Sequence, residues 1–119
     1  GDKSIQTVNE IVHLILENCN QKKTLIIASS DMSHFYSYDR AREMDLAALD
    51  YLEKWDIERL MIKEEEREIE FCGFAPVLVL TQVMKQWGCH NIDVLDYCNS
   101  GDISGDHSRV VGYSSVAYS

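Results

Sequence analysis

Apolar positions recur at helical spacing from the start of the chain. Ile5, Val8, Ile11, Val12, Ile15 and Leu16 fall on one face, which predicts an amphipathic helix over residues 4–18. Asn18, Asn20 and the lysines that follow end it. Residues 24–28, TLIIA, form a short continuous apolar run rich in β-branched side chains, the pattern of a buried strand in a parallel or mixed sheet. Residues 29–38, SSDMSHFYSY, are then polar and dense in functional groups. Asp39 is the predicted N-cap of a second helix, and Ala41, Met44, Ala48, Leu52 and Trp55 make its apolar stripe. Asp56 caps a third, with Ile57, Leu60 and Met61 inward and the acidic run 63–68 facing water.

Residues 71–74 break the pattern. Pro76 near a helix start and Gly88 just past its end bracket a fourth helix, whose buried face is Val77, Leu80, Met84 and Trp87. Residues 92–97 read as a strand. The turn-rich stretch 99–108 follows, with Gly101 and Gly105 available for positive φ, and residues 110–118 read as a last strand. Strands alternating with helices predict an α/β layered fold, and residues 1–119 fit one domain or a large piece of one.

Charge narrows the function. Twenty acidic against eleven basic residues give a net charge of −9. That balance opposes a phosphate backbone and an anionic membrane surface, so neither nucleic acid nor membrane is an expected partner. No apolar run approaches the roughly 20 residues of a membrane helix. The four cysteines, Cys19, Cys72, Cys89 and Cys98, lack any C-x-x-C spacing and are sparse. They read as reduced thiols of a cytoplasmic protein.

Two places could carry chemistry. Asp31 and His34 share the loop that follows the apolar run 24–28. Ligands of open α/β sheets bind at such strand ends. A histidine titrates near neutral pH, and a carboxylate three residues away can orient its ring. The bland alternative is a structural capping loop. The other place is Cys72, just ahead of a helix start, where the macrodipole favours negative charge and a cysteine makes a better nucleophile or metal ligand. Its bland alternative is a small buried apolar residue, which also suits Cys19 and Cys98. Cys89 and His90 lack the paired ligands of a zinc site. His13 and His107 read as surface residues. Residues 99–106, NSGDISGD, lack the oxygen series and closing glutamate of a calcium loop.

Taken in order, SSDMSHFYSYDRAREMD, FCGFAPV and LDYCNSGDISGDHSRVVGYSSVAY resemble the C-terminal half of the Memo family, labelled AmmeMemoRadiSam system protein B in microbes. The resemblance implies the fold of class III extradiol dioxygenases, a mixed sheet flanked by helices. It also implies a metal site in which two histidines from an N-terminal half join a cysteine of a C-G motif. Cys72 matches that cysteine, and His34, with Asp31 beside it, matches the dioxygenases' acid–base histidine. Position 74 is Phe where the family often has arginine.

Three functions follow as expectations. The first is an oxidoreductase binding iron or copper in the intact protein, with Cys72 as ligand, and with no metal held by this chain alone. The second is a non-catalytic module whose pocket holds a small molecule or phosphopeptide, with Arg40 and Arg42 as the nearby cations. The third is a cysteine hydrolase built on Cys72, His34 and Asp31. Read as a C-terminal half, the chain is expected to associate with a missing N-terminal half or with itself.

Overall fold

A computed structural model describes residues 5–119. Its elements are α1 (Ile5–Asn18), β1 (His34–Tyr36), α2 (Tyr38–Glu53), α3 (Ile57–Glu65), α4 (Phe74–Gln86), β2 (Ile92–Asn99), α5 (Gly101–Ser104) and β3 (Val110–Tyr118). The predicted first helix is α1; its expected first residue, Ser4, lies outside the described residues.

The helical stripes explain the core. Ala41, Met44, Ala48 and Leu52 of α2 are all buried, as their spacing predicts. Asp56 caps α3 by accepting a hydrogen bond from the Arg59 amide at 3.1 Å. For α2 the cap is Ser37 rather than Asp39, and the helix starts two residues sooner. α4 is apolar nearly all round, so it buries Leu78, Val79 and Val83 as well as the predicted Val77. It packs between α1 and the rest of the core, and Val8 and Val12 of α1 complete the same cluster.

The sheet departs from expectation. Among the described residues it has order β1-β3-β2, and both pairings are antiparallel, not mixed. Residues 24–28 join no strand. Burial alternates along them: Ile26 and Ala28 pack on the core, whereas Leu25 and Ile27 are 85% and 78% exposed. An apolar run states that a segment wants burial, not which strand it should pair with. Two shorter features were hidden in segments read as irregular: β1 within 29–38, and α5 within 99–108.

β1 is short and bulged. His34 opposes Val111 and Tyr36 opposes Val110, so Phe35 is the extra residue of the pair. It takes φ 67, is mostly exposed, and carries the Arg109 guanidinium 4.9 Å from its ring centroid. The bulge falls immediately after His34, where it turns the chain away from the sheet and into α2.

Candidate functional site

The site forms where the loop before β1 meets the start of α4. The two segments are stitched by their backbones, with the Cys72 amide donating to the Asp31 carbonyl at 3.0 Å. The return contact uses the thiol: the Asp31 amide points at Cys72 Sγ, 3.0 Å away. Ser30 closes the junction. Its hydroxyl donates to the Asp31 carbonyl at 2.7 Å and accepts from the Gly73 amide at 2.9 Å, and lies 3.8 Å from Cys72 Sγ.

Gly73 is the N-cap of α4 and is pressed against this loop. A Cβ there would lie 2.7 Å from the Ser29 carbonyl oxygen, so a side chain would push the two segments apart. Cys72 is exposed and immediately precedes Gly73, the N-cap of α4.

Asp31 links the thiol to the histidine. While its amide faces Cys72, its carboxylate Oδ2 lies 3.6 Å from His34 Nε2. That is ion-pair range, a little long for a direct hydrogen bond. Asp31, His34 and Cys72 therefore share one partly exposed surface, with Asp31 in contact with both others. Cys19, Cys89 and Cys98 are free and lie elsewhere, Cys89 against the Met84 sulfur at 3.9 Å. His13 pairs with Glu17 on the exposed side of α1, and His107 stacks on Tyr38.

The sequence reading missed the layer beneath. Asp45 of α2 is fully buried. It accepts three hydrogen bonds: from the Ser33 amide at 3.0 Å, the Ser33 hydroxyl at 2.9 Å and the Tyr97 hydroxyl at 2.7 Å. The signal was available, because Asp45 lies four residues after Ala41 and three before Ala48, on the stripe that the spacing assigns to the core. Burial pushes the Asp45 carboxyl above its ordinary 3.8, and the hydrogen bonds from Tyr97 and Ser33 lower it without cancelling that rise. The Tyr97 phenol is raised too, by burial and by its bond to Asp45.

This has a consequence for stability. Between the ordinary carboxyl value of 3.8 and the higher folded value, the native state holds the Asp45 proton more often than the unfolded chain does. The contribution of Asp45 to stability is therefore complete below that interval and is lost as pH rises through it. Asp45→Asn cannot ionise, so its stability relative to the wild type is expected to grow as pH rises from about 4 to about 7. Urea unfolding at both pH values measures the difference; a constant or shrinking difference contradicts the assignment.

The metal expectation does not survive. Among the described residues, no group of three or more His, Cys, Asp or Glu side chains is placed to hold a metal ion. Cys72 Sγ faces an amide hydrogen, and the Asp31 carboxylate faces His34. The metal-binding and oxidoreductase readings are therefore without a metal-holding group among the described residues. Of the two cations named for a phosphopeptide, Arg40 lies 3.4 Å from the Glu43 carboxylate in an exposed pair. No helix of the described residues is long and apolar enough to cross a membrane.

Comparison with known proteins gives the wider frame. The family described as "Memo-like protein" matches residues 1–117. A "MEMO1 family protein" of Methanosarcina mazei is 33% identical over 118 residues, covering 98% of this chain and 44% of the relative. One from Methanobrevibacter smithii is 37% identical over 117 residues, 97% of this chain and 42% of the relative. One from Methanococcus maripaludis is 40% identical over 96 residues, 80% of this chain and 34% of the relative. The chain thus spans less than half the length of these relatives. The family match, however, runs through residues 1–117. That match over nearly the whole chain replaces the assignment to a C-terminal half, on which the expected partners, a missing half or a second copy, rested.

Proposed function

We propose that this chain, which belongs to the Memo family, carries a thiol-based acyl-transfer site with Cys72 as nucleophile, His34 as general acid–base and Asp31 as the group that orients the histidine. The observation that supports this best is the double contact of Asp31: its amide lies 3.0 Å from Cys72 Sγ and its carboxylate 3.6 Å from His34 Nε2. One residue thereby sets thiol and imidazole in a common frame. Nucleophile, base and orienting carboxylate form the constellation that covalent catalysis uses, and its hydrogen bonds are commonly loose before substrate binds.

The reaction this suits is cleavage of a small, solvent-accessible ester or thioester. Cys72 Sγ bonds to the carbonyl carbon as His34 takes the thiol proton. The bond to the leaving group breaks, and His34 returns the proton to it. Water, deprotonated by the same imidazole, then releases the acid and restores the thiol. The N-terminus of α4, which directly follows Cys72 and Gly73, would favour the charge that develops on the carbonyl oxygen. The free cysteines suit a reducing compartment, in line with a cytoplasmic protein.

Labelling tests the thiol. With iodoacetamide below one equivalent, Cys72 is expected to react before Cys19, Cys89 and Cys98. With p-nitrophenyl acetate in chelator-treated buffer, Cys72→Ala should abolish turnover and His34→Gln should lower it by about a hundredfold. Turnover that persists in Cys72→Ala would falsify the assignment.

A further inference from the structure

Asp45 makes no direct contact with Cys72, His34 or Asp31, yet the loop that carries two of them hangs on it. Ser33 lies between Asp31 and His34, and each of its polar backbone and side-chain groups is taken. Its amide and hydroxyl donate to the two oxygens of Asp45, at 3.0 and 2.9 Å, and its carbonyl accepts from the Gly112 amide at 2.9 Å. One residue earlier, the Met32 amide donates to the Gly112 carbonyl at 2.9 Å. The loop is thus pinned between α2 and β3 immediately beneath the surface on which Cys72 sits.

Nothing about stability calls for a carboxylate here. The position belongs to the apolar stripe of α2, between Ala41 and Ala48, where a hydrophobic side chain would be buried without desolvating an ionisable group. What a carboxylate adds is geometry. Two acceptors on one planar group grip both the amide and the hydroxyl of a single residue, fixing the rotation of the loop as well as its position. A third donor, the Tyr97 hydroxyl at 2.7 Å, holds the carboxylate in turn. Reactive groups need this kind of support, because small displacements cost rate steeply.

We propose that Asp45 is the positioning residue of the site: from the core it fixes Ser33, and through Ser33 the loop that sets Asp31 and His34 against Cys72. The proposal rests on the reading of Cys72 as a reactive thiol, and the experiment separates the two. In the full chain, Asp45→Ala, Asp45→Asn and Leu60→Ala are compared with the wild type. Leu60 is a fully buried residue of α3 and controls for lost stability. One measurement is amide hydrogen exchange at Asp31 and Cys72, read against amides of the β2–β3 ladder. The other is the rate of Cys72 alkylation by iodoacetamide, resolved by peptide mass spectrometry.

Asp45→Ala is expected to speed exchange at Asp31 and Cys72 by about tenfold relative to the ladder, and to change the alkylation rate by a similar factor. Asp45→Asn retains an acceptor for the Ser33 amide and should stay within about twofold of the wild type. Leu60→Ala should move all amides together. If Asp45→Ala does not fold, Tyr97→Phe removes one of the bonds that hold the carboxylate, and about threefold of the same local pattern is expected. A uniform change across loop and ladder in Asp45→Ala, or in Tyr97→Phe where that variant is read instead, overturns the proposal. A wild-type Cys72 no faster than the other cysteines sinks the nucleophile reading instead, and leaves the exchange pattern to decide the role of Asp45.

Discussion

Gly112→Ala is expected to destabilise the protein by about 4 kcal/mol, the combined scale of overpacking a filled site and breaking buried charge-assisted hydrogen bonds. A Cβ at position 112 would lie 1.8 Å from Asp45 Oδ2 and 2.8 Å from its Cγ. The terminal atoms of a side chain can often yield, but these are held. Oδ2 accepts from the Ser33 hydroxyl at 2.9 Å and from the Tyr97 hydroxyl at 2.7 Å, so any retreat strains both bonds. The strand cannot back away either, because the Gly112 amide and carbonyl are both bonded to the loop at 2.9 Å. Urea unfolding gives the value. A loss below about 1 kcal/mol would show that the carboxylate moves freely, contrary to the rigid clamp argued above.

Leu78→Ala is expected to cost about 3 kcal/mol, within the range for truncating a buried leucine. Leu78 is 1% exposed and belongs to the main core cluster, on the helix whose N-terminus lies beside Cys72. The change removes apolar contacts from the body of α4 but leaves the Gly73 cap and its bond to Ser30 untouched. Stability should therefore fall while Cys72 labelling in the folded protein stays as in the wild type. Gly112→Ala, at a comparable cost, should disturb that labelling. A selective loss of Cys72 labelling in Leu78→Ala would mean that the site depends on the packing of α4 and not on the loop beneath it.

Much of the fold was legible in the sequence because helices carry their own signal. The stripe Ala41, Met44, Ala48 and Leu52, the Asp56 cap and the Gly88 stop depend on residues within a turn or two of one another. Strands were less legible. Residues 24–28 have strand composition but form no strand, whereas β1 forms within the polar stretch 29–38. Pairing is a property of two segments distant in the chain, and β1 exists because β3 lies beside it.

The same division holds for the site. By itself, the sequence determined which groups are chemically able: a thiol ahead of a helix start, and a carboxylate and an imidazole three residues apart. It also placed Asp45 on the inner stripe of α2, since periodicity alone decides which way a helical residue faces. Tertiary structure decided everything that depends on distance across the chain. It set the Asp31 amide against a sulfur 41 residues away and brought Ser33 down onto Asp45. It also turned the Asp31 carboxylate toward His34. Hydrogen bonds act over about 3 Å, and only the packed core brings such remote groups that close.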